Sequence, residues 1–226
     1  MSTKKRTSKN NTRGNQPNTN NQMQWIAMAV IAVVLIAIIW AIFNANRPQS
    51  PAAVTGGAKQ YDSAPLMTID PSKQYSATVK MAKGGQFVIQ LFPDKAPVTV
   101  NSFVFLAREG FYNGVTFHRV LDGFMAQAGD PTGTGGGGPG YEFANEDSDL
   151  SFNQPGMVAM ANAGRDTNGS QFFVTYAPVE HLNGGYTIFG QVTEGMDVVN
   201  AITRRDPDQG PTFEGDAIES ITITEQ

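Results

Sequence analysis

The chain contains no cysteine and only two histidines, His118 and His181. Disulfide staples, thiolate nucleophiles and cysteine-ligated metals are therefore excluded. No HExxH or comparable spacing accompanies the histidines, so no metal site is expected. Basic charge is scarce where a nucleic-acid binder would need it. Five of the 16 lysines and arginines (Lys4, Lys5, Arg6, Lys9, Arg13) crowd into residues 1–24, which hold no acidic side chain. The other 11 face all 20 acidic residues. The body of the chain is thus acidic and lacks the basic footprint of phosphate recognition, and no nucleic-acid partner is expected.

One long apolar run is present. Trp25–Phe43 is 19 residues without a charge. As a helix it would measure about 28 Å, near the hydrocarbon thickness of a bilayer. Trp25 and Trp40 stand near its ends, where amphipathic rings prefer the interface. The run is longer than a signal-peptide core, and Asn44–Pro48 offers no small-x-small cleavage site, so an uncleaved signal-anchor is expected. The basic head places the N-terminus in the cytoplasm and the remainder outside, as a single-pass protein of the cell membrane. At 226 residues there is room for one cored domain and an appendage. The expected organisation is a disordered basic tail at 1–24, a transmembrane anchor at 25–43 and a flexible Pro/Gly-containing linker at 44–72. A folded domain then occupies 73–226.

From residue 73 the pattern is one of short strands. Tyr75–Met81 alternates, Lys83-Gly84-Gly85 signals a hairpin, and Phe87, Ile89 and Leu91 share a face of the next strand. Pro97 suits the first turn of a helix reaching about Glu109, with Val100, Phe103, Val104 and Ala107 as its buried stripe. Further strands are expected over 115–120, 124–129, 157–161, 171–175, 187–193 and 217–224, and a second helix over 196–203. This pattern fits a barrel or a sandwich with helices over its openings. The glycine run 133–140 lacks the Gly-Lys-Ser/Thr ending of a phosphate loop and reads as a groove border. Glu142, Glu146, Asp147 and Asp149 lack an EF-hand pattern and read as solvated surface.

Two segments carry chemistry: Val115-Thr-Phe-His-Arg-Val-Leu-Asp-Gly-Phe-Met-Ala-Gln-Ala-Gly-Asp130 and Met160-Ala-Asn-Ala-Gly-Arg-Asp-Thr-Asn-Gly-Ser-Gln-Phe-Phe-Val174. With Phe111–Gly114 and Leu182–Gly190, they closely resemble the signatures of cyclophilin-type peptidyl-prolyl cis/trans isomerases. The resemblance covers about residues 75–225. It implies a mainly β fold, a closed eight-stranded antiparallel β-barrel capped by two α-helices, with a proline groove on its outer face. It implies that Arg119 is catalytic and that Phe124, Met125, Phe173 and Leu182 form the proline pocket, walled by Tyr186. Gln127, Ala161 and Asn162 would hold the substrate backbone, with Thr167 and Gln171 near the groove. Proline-containing polypeptides would be the substrates, extracytoplasmic ones given the anchor; rotation about their X-Pro bonds would need no cofactor, and the catalytic domain would be monomeric. The alternative is a binding module that holds proline segments as a chaperone or scaffold. Many eukaryotic members have tryptophan at the position of His181 and histidine at that of Tyr186, so weakened cyclosporin inhibition is expected. Strict alternation would put Phe117 and Arg119 on one face and His118 on the other, hydrogen-bonded beneath the groove. Neighbouring Phe124 and Met125 can share a pocket only if the chain bends near Gly123.

Overall fold

The computed structural model describes residues 59–226. The tail 1–24, the apolar run 25–43 and linker residues 44–58 lie outside the described residues. Among those described, no helix is long and apolar enough to cross a membrane.

Alternation in the first two strands sets the interior. In β1 (Tyr75–Met81), Tyr75, Ala77, Val79 and Met81 are buried while the residues between them face outward. In β2 (Gln86–Leu91), Phe87, Ile89 and Leu91 do the same. The two pair from Tyr75↔Leu91 to Lys80↔Gln86, joined by a turn in which Gly84 N donates to Met81 O at 2.9 Å. The remaining strands are β3 (Arg119–Leu121), β4 (Met125–Ala128), β5 (Met157–Met160), β6 (Phe172–Thr175), β7 (Ile188–Glu194) and β8 (Ile218–Glu225). They form one sheet in the order β3-β4-β6-β5-β7-β2-β1-β8, antiparallel throughout.

The sheet curls until its ends approach, but β3 and β8 do not pair along their length. A single bridge, Thr116↔Ala217, joins the segments in front of them, supported by Gly114 N to Ile218 O at 2.8 Å and Phe117 N to Asp216 O at 2.9 Å. The expected closed barrel is therefore corrected to a curled eight-stranded sheet with an irregular seam. The local reason is that 115–118, expected as strand, leaves the ladder and β3 begins only at Arg119.

Among the described residues two α-helices accompany the sheet, α1 (Pro97–Arg108) and α2 (Met196–Asn200). Val100, Phe103, Val104 and Ala107 of α1 are all buried. Phe103 meets Tyr112, Phe172 and Phe189 at centroid distances of 5.2, 5.6 and 5.2 Å, the aromatic centre of the interior. Ala96 gives α1 no side-chain cap. Glu146 supplies one from afar: its carboxylate accepts from Val98 N at 2.9 Å and Thr99 N at 2.8 Å, satisfying two free donors at the positive end of the helix. Asp147 and Asp149 pair with Arg165 and Lys95 at the surface.

Residues 59–72, read as the end of a linker, lie along the domain. Asn101 Oδ1 accepts from Thr68 N at 2.8 Å, Asn101 Nδ2 donates to Leu66 O at 3.0 Å, and Ile69 is buried. Local composition cannot reveal this docking, because its partners lie more than 30 residues downstream.

Candidate active site

β3 and β4 form a tight hairpin with Arg119↔Gln127 and Leu121↔Met125 in register. Gly123 turns it with φ +66°, a left-handed conformation that favours glycine, and Phe124 N donates to Leu121 O at 3.1 Å. Phe124 consequently sits in the turn and Met125 opens β4. This is the bend that lets both join one apolar cluster.

That cluster is separate from the interior. Its buried members include Met125, Phe152, Ala159, Phe173 and Ile188, with Phe124, Ala161, Leu182 and Tyr186 half-buried against them. Phe152 stacks beneath Phe173 at 5.8 Å, and Tyr186 meets Phe173 edge-on at 5.5 Å. His181 is exposed and stacks on Phe124 at 6.0 Å.

Arg119 is half-buried at the border of the cluster. Its guanidinium carbon lies 6.0 Å from the Phe124 ring centroid, and Nη1 approaches Met125 Sδ at 4.0 Å. Among the described residues Arg119 enters no ion pair, whereas Arg108, Arg165 and Arg204 each hold a carboxylate. A guanidinium with unspent donors, braced by thioether and ring, is available to a ligand.

The polar side begins at Gln127, whose Nε2 donates to Gln171 Oε1 at 2.9 Å. Gln171 Nε2 in turn donates to the carbonyls of Gly135 and Gly137, both at 2.9 Å, tying the glycine-rich loop to the groove. Asn162 Nδ2 donates to Gly185 O at 3.1 Å, and Thr167 Oγ1 donates to Gly164 O at 2.8 Å while accepting from Ala163 N. A cleft of about 600 Å³ lies here, lined among others by Gln127, Gly135–Gly140, Asn162 and Gln171. It adjoins the apolar pocket without including it: Arg119, Phe124, Met125, Phe173, Leu182 and Tyr186 are not in its wall. Of the residues expected from sequence, the structure thus gathers six around the apolar pocket and Gln127, Ala161, Asn162, Thr167 and Gln171 along the cleft.

Beneath the loop, Asp130 is fully buried. It accepts from Thr132 N at 2.7 Å, Thr132 Oγ1 at 2.8 Å and Gly135 N at 2.6 Å. Burial pushes its carboxyl up, but these hydrogen bonds outweigh it and hold the group below the usual carboxylate range. His118 differs from expectation. It is buried together with Phe117, and neither ring nitrogen has a hydrogen-bond partner of good geometry. Burial lowers its basicity, opposed by the nearby Asp130 charge. Phe117 belongs to the interior cluster, whereas Arg119 faces the groove, because residues 117–118 lie outside the ladder and alternation is interrupted there.

Sequence reasoning missed Phe152 and Asn145. Asn145 Nδ2 donates to Gly185 O at 3.2 Å and its Oδ1 accepts from Asn168 Nδ2 at 2.9 Å, bracing the 162–168 loop. Neither residue has a periodic or motif signal; both act across more than 20 residues.

The site is thus an apolar pocket with a guanidinium at its edge and amides along one side, set outside a curled antiparallel sheet. Residues 77–224 match the family model described as cyclophilin type peptidyl-prolyl cis-trans isomerase/CLD, and the chain belongs to that family. It is accordingly an enzyme, a peptidyl-prolyl cis/trans isomerase.

Similar proteins include peptidyl-prolyl cis-trans isomerase A of Mycobacterium tuberculosis, 46% identical over 178 residues that cover 70% of this chain and 97% of the relative. Human peptidyl-prolyl cis-trans isomerase-like 1 is 52% identical over 122 residues, covering 52% of this chain and 74% of that protein. Mouse peptidylprolyl isomerase domain and WD repeat-containing protein 1 is 43% identical over 159 residues, 68% of this chain but only 25% of that longer protein. Among solved structures, a cyclophilin type isomerase of Cryptosporidium parvum in the presence of the dipeptide Ala-Pro superposes with TM-score 0.60 at 33% identity, covering 67% of this chain and 99% of that one.

Proposed function

We propose that the chain rotates X-Pro bonds in proline-containing polypeptides outside the cytoplasm, held at the membrane by residues 25–43, with Arg119 as the catalytic residue. The observation that carries the catalytic part of this reading is the Arg119 guanidinium, unpaired among the described residues, beside the Phe124/Met125/Phe173 pocket, while the membrane placement rests on the uncharged run Trp25–Phe43 behind its basic head. The substrate class is supported by the related Cryptosporidium protein, whose structure was solved in the presence of Ala-Pro.

An X-Pro bond resists rotation because the nitrogen lone pair is delocalised into the carbonyl, a barrier of about 18–20 kcal/mol. Twisting breaks that conjugation and returns the lone pair to a pyramidal nitrogen. A guanidinium N–H directed at this nitrogen binds the twisted form better than either planar isomer, which is differential stabilisation of the transition state. The apolar pocket assists by desolvating the planar amide, the more charge-separated form. An acceleration of about 10⁵-fold asks for only about 7 kcal/mol. Gln127, Ala161 and Asn162 would hold the substrate backbone while the proline side turns, and a monomeric domain suffices.

The test is exchange NMR of a proline peptide with the full chain in detergent micelles, beside Arg119→Ala. Strong acceleration that is largely lost in the folded variant supports the proposal. Peptide binding with undiminished exchange in Arg119→Ala removes Arg119 from the mechanism, and binding by the wild type without acceleration favours the holding-module alternative. Orientation is tested in intact cells, exploiting the cysteine-free background. A membrane-impermeant maleimide is expected to label Asp208→Cys and not Ser8→Cys; the reverse pattern overturns the extracytoplasmic placement.

A further inference from the structure

Arg119 stands on a strand with little support of its own. β3 is three residues long and lies at one end of the strand order, with β4 as its only ladder neighbour. Arg119 is its first residue, so the His118 carbonyl, which belongs to the peptide entering Arg119, lies before the ladder begins. The open edge is covered by the segment that follows α2. Val120 N donates to Arg205 O at 2.7 Å and Arg205 N donates to Val120 O at 2.9 Å, a single antiparallel bridge directly beside Arg119. The half-buried Arg205 side chain reaches past this bridge. Its Nη1 donates to the His118 carbonyl and its Nε donates to Phe213 O at 3.0 Å.

The loop that carries Arg205 is fixed independently of β3. The Asp216 carboxylate accepts from Thr203 N at 2.6 Å and from Thr203 Oγ1 at 3.2 Å, closing 203–216 at its base, and pairs with Lys83. Gly215 permits the close crossing over the entry to β3, where an added Cβ would collide with Phe117 O. Arg205 thus braces the middle of a closed loop against the peptide that leads into Arg119. The Arg119 guanidinium itself touches only the Phe124 ring and Met125 Sδ, so its aim depends on its backbone. A planar fork of donors serves two carbonyls at once, which a single ammonium or an apolar stem cannot do. We propose that Arg205 is a positioning residue for isomerisation: by holding the His118 carbonyl it fixes the backbone from which Arg119 reaches the edge of the pocket. This rests on the reading of Arg119 as the catalytic residue.

The experiment measures kcat and KM on a proline peptide for the full chain in micelles. Wild type, Arg205→Met and Arg205→Lys are compared, each with Arg119 intact and with Arg119→Ala. Arg205→Met keeps the stem and removes the donors; it is expected to lower kcat about tenfold with KM preserved. Arg205→Lys can hold one carbonyl but not both, and is expected to stay within about threefold of wild type. Neither change lowers the residual rate of Arg119→Ala further, because the two residues act as one unit. A second readout follows Arg119 directly. Its Nε–Hε NMR signal, identified by its loss in Arg119→Ala, moves in Arg205→Met toward that of a freely rotating arginine. A merely structural role for Arg205 would lower the melting temperature and leave that signal in place. Wild-type kcat or an unmoved signal, in whichever Arg205 variant folds, overturns the inference alone, as does an equal rate loss in the Arg119→Ala background. Undiminished exchange in Arg119→Ala overturns the catalytic reading of Arg119 and this inference with it.

Discussion

The apolar half of the groove rests on side chains packed into side chains: Phe173 on Phe152, Tyr186 on Phe173, and Phe124 capped by His181. Its neighbour, the polar half, is mostly backbone. The glycine-rich loop contributes carbonyls and little else, and is kept in place by hydrogen bonds from Gln171 and Gln60 and by the buried carboxylate of Asp130 beneath it. Packing is non-directional and spreads its energy over many contacts, whereas each hydrogen bond to a loop is a separate, directional constraint. Damage to the first half should cost stability and turnover, and damage to the second should cost loop order.

The largest effect is expected from Phe152→Ala. Removing a fully buried ring beneath Phe173 should destabilise the fold by about 3–5 kcal/mol, read as a shifted midpoint in urea. A loss below about 1 kcal/mol would mean that the pocket does not depend on this packing, and the comparison breaks. Arg119→Ala comes next. It should lower kcat by about 10²–10³-fold, the usual size for one donor aimed at a transition state, with an unchanged melting temperature. Asp130→Ala should cost about 2 kcal/mol, since three hydrogen bonds to a charged acceptor disappear and their donors are left beneath the loop. Accelerated amide exchange at Gly135, with β1 and β2 unaffected, would place that loss in the polar half.

Glu146→Ala should cost about 1 kcal/mol by uncapping α1, with catalysis unaffected, a control outside both halves. The smallest effects concern acid. The unfolded chain protonates His118 at an ordinary value of about 6.5, while burial lowers the folded value, so stability is lost as pH falls through that window. Asp130 has the same sign at lower pH. Its contribution is present above the ordinary carboxylate value of about 3.9 and is lost as pH falls through its depressed folded value. Melting temperatures recorded on acidification should fall in both windows, and His118→Phe should flatten the upper one alone.

Much of the strand pattern is legible because alternation is a local property. Tyr75–Met81 has its expected limits, β2 falls within its expected run, and the buried stripe of α1 is the one its spacing predicts. The turn at Gly123 was legible too, as a steric demand from adjacent Phe124 and Met125. Alternation misleads at Phe117–Arg119, where the chain leaves the ladder and a buried histidine follows a buried phenylalanine. Glu146 reads as solvated surface and proves to be a helix cap, since the helix it serves begins almost 50 residues earlier.

The sequence by itself determined the order and extent of most strands, the buried face of α1, and, through two long motifs, the family and the residues to inspect. Only the tertiary structure decided that Phe117 belongs to the interior and Phe152 to the groove. It also decided that Arg119 is left without a carboxylate, and that Gln60 borders the cleft. The physical reason is that periodicity records which residues are apolar and how they are spaced, whereas pairing across the sheet and loop docking depend on segments tens of residues apart meeting in space.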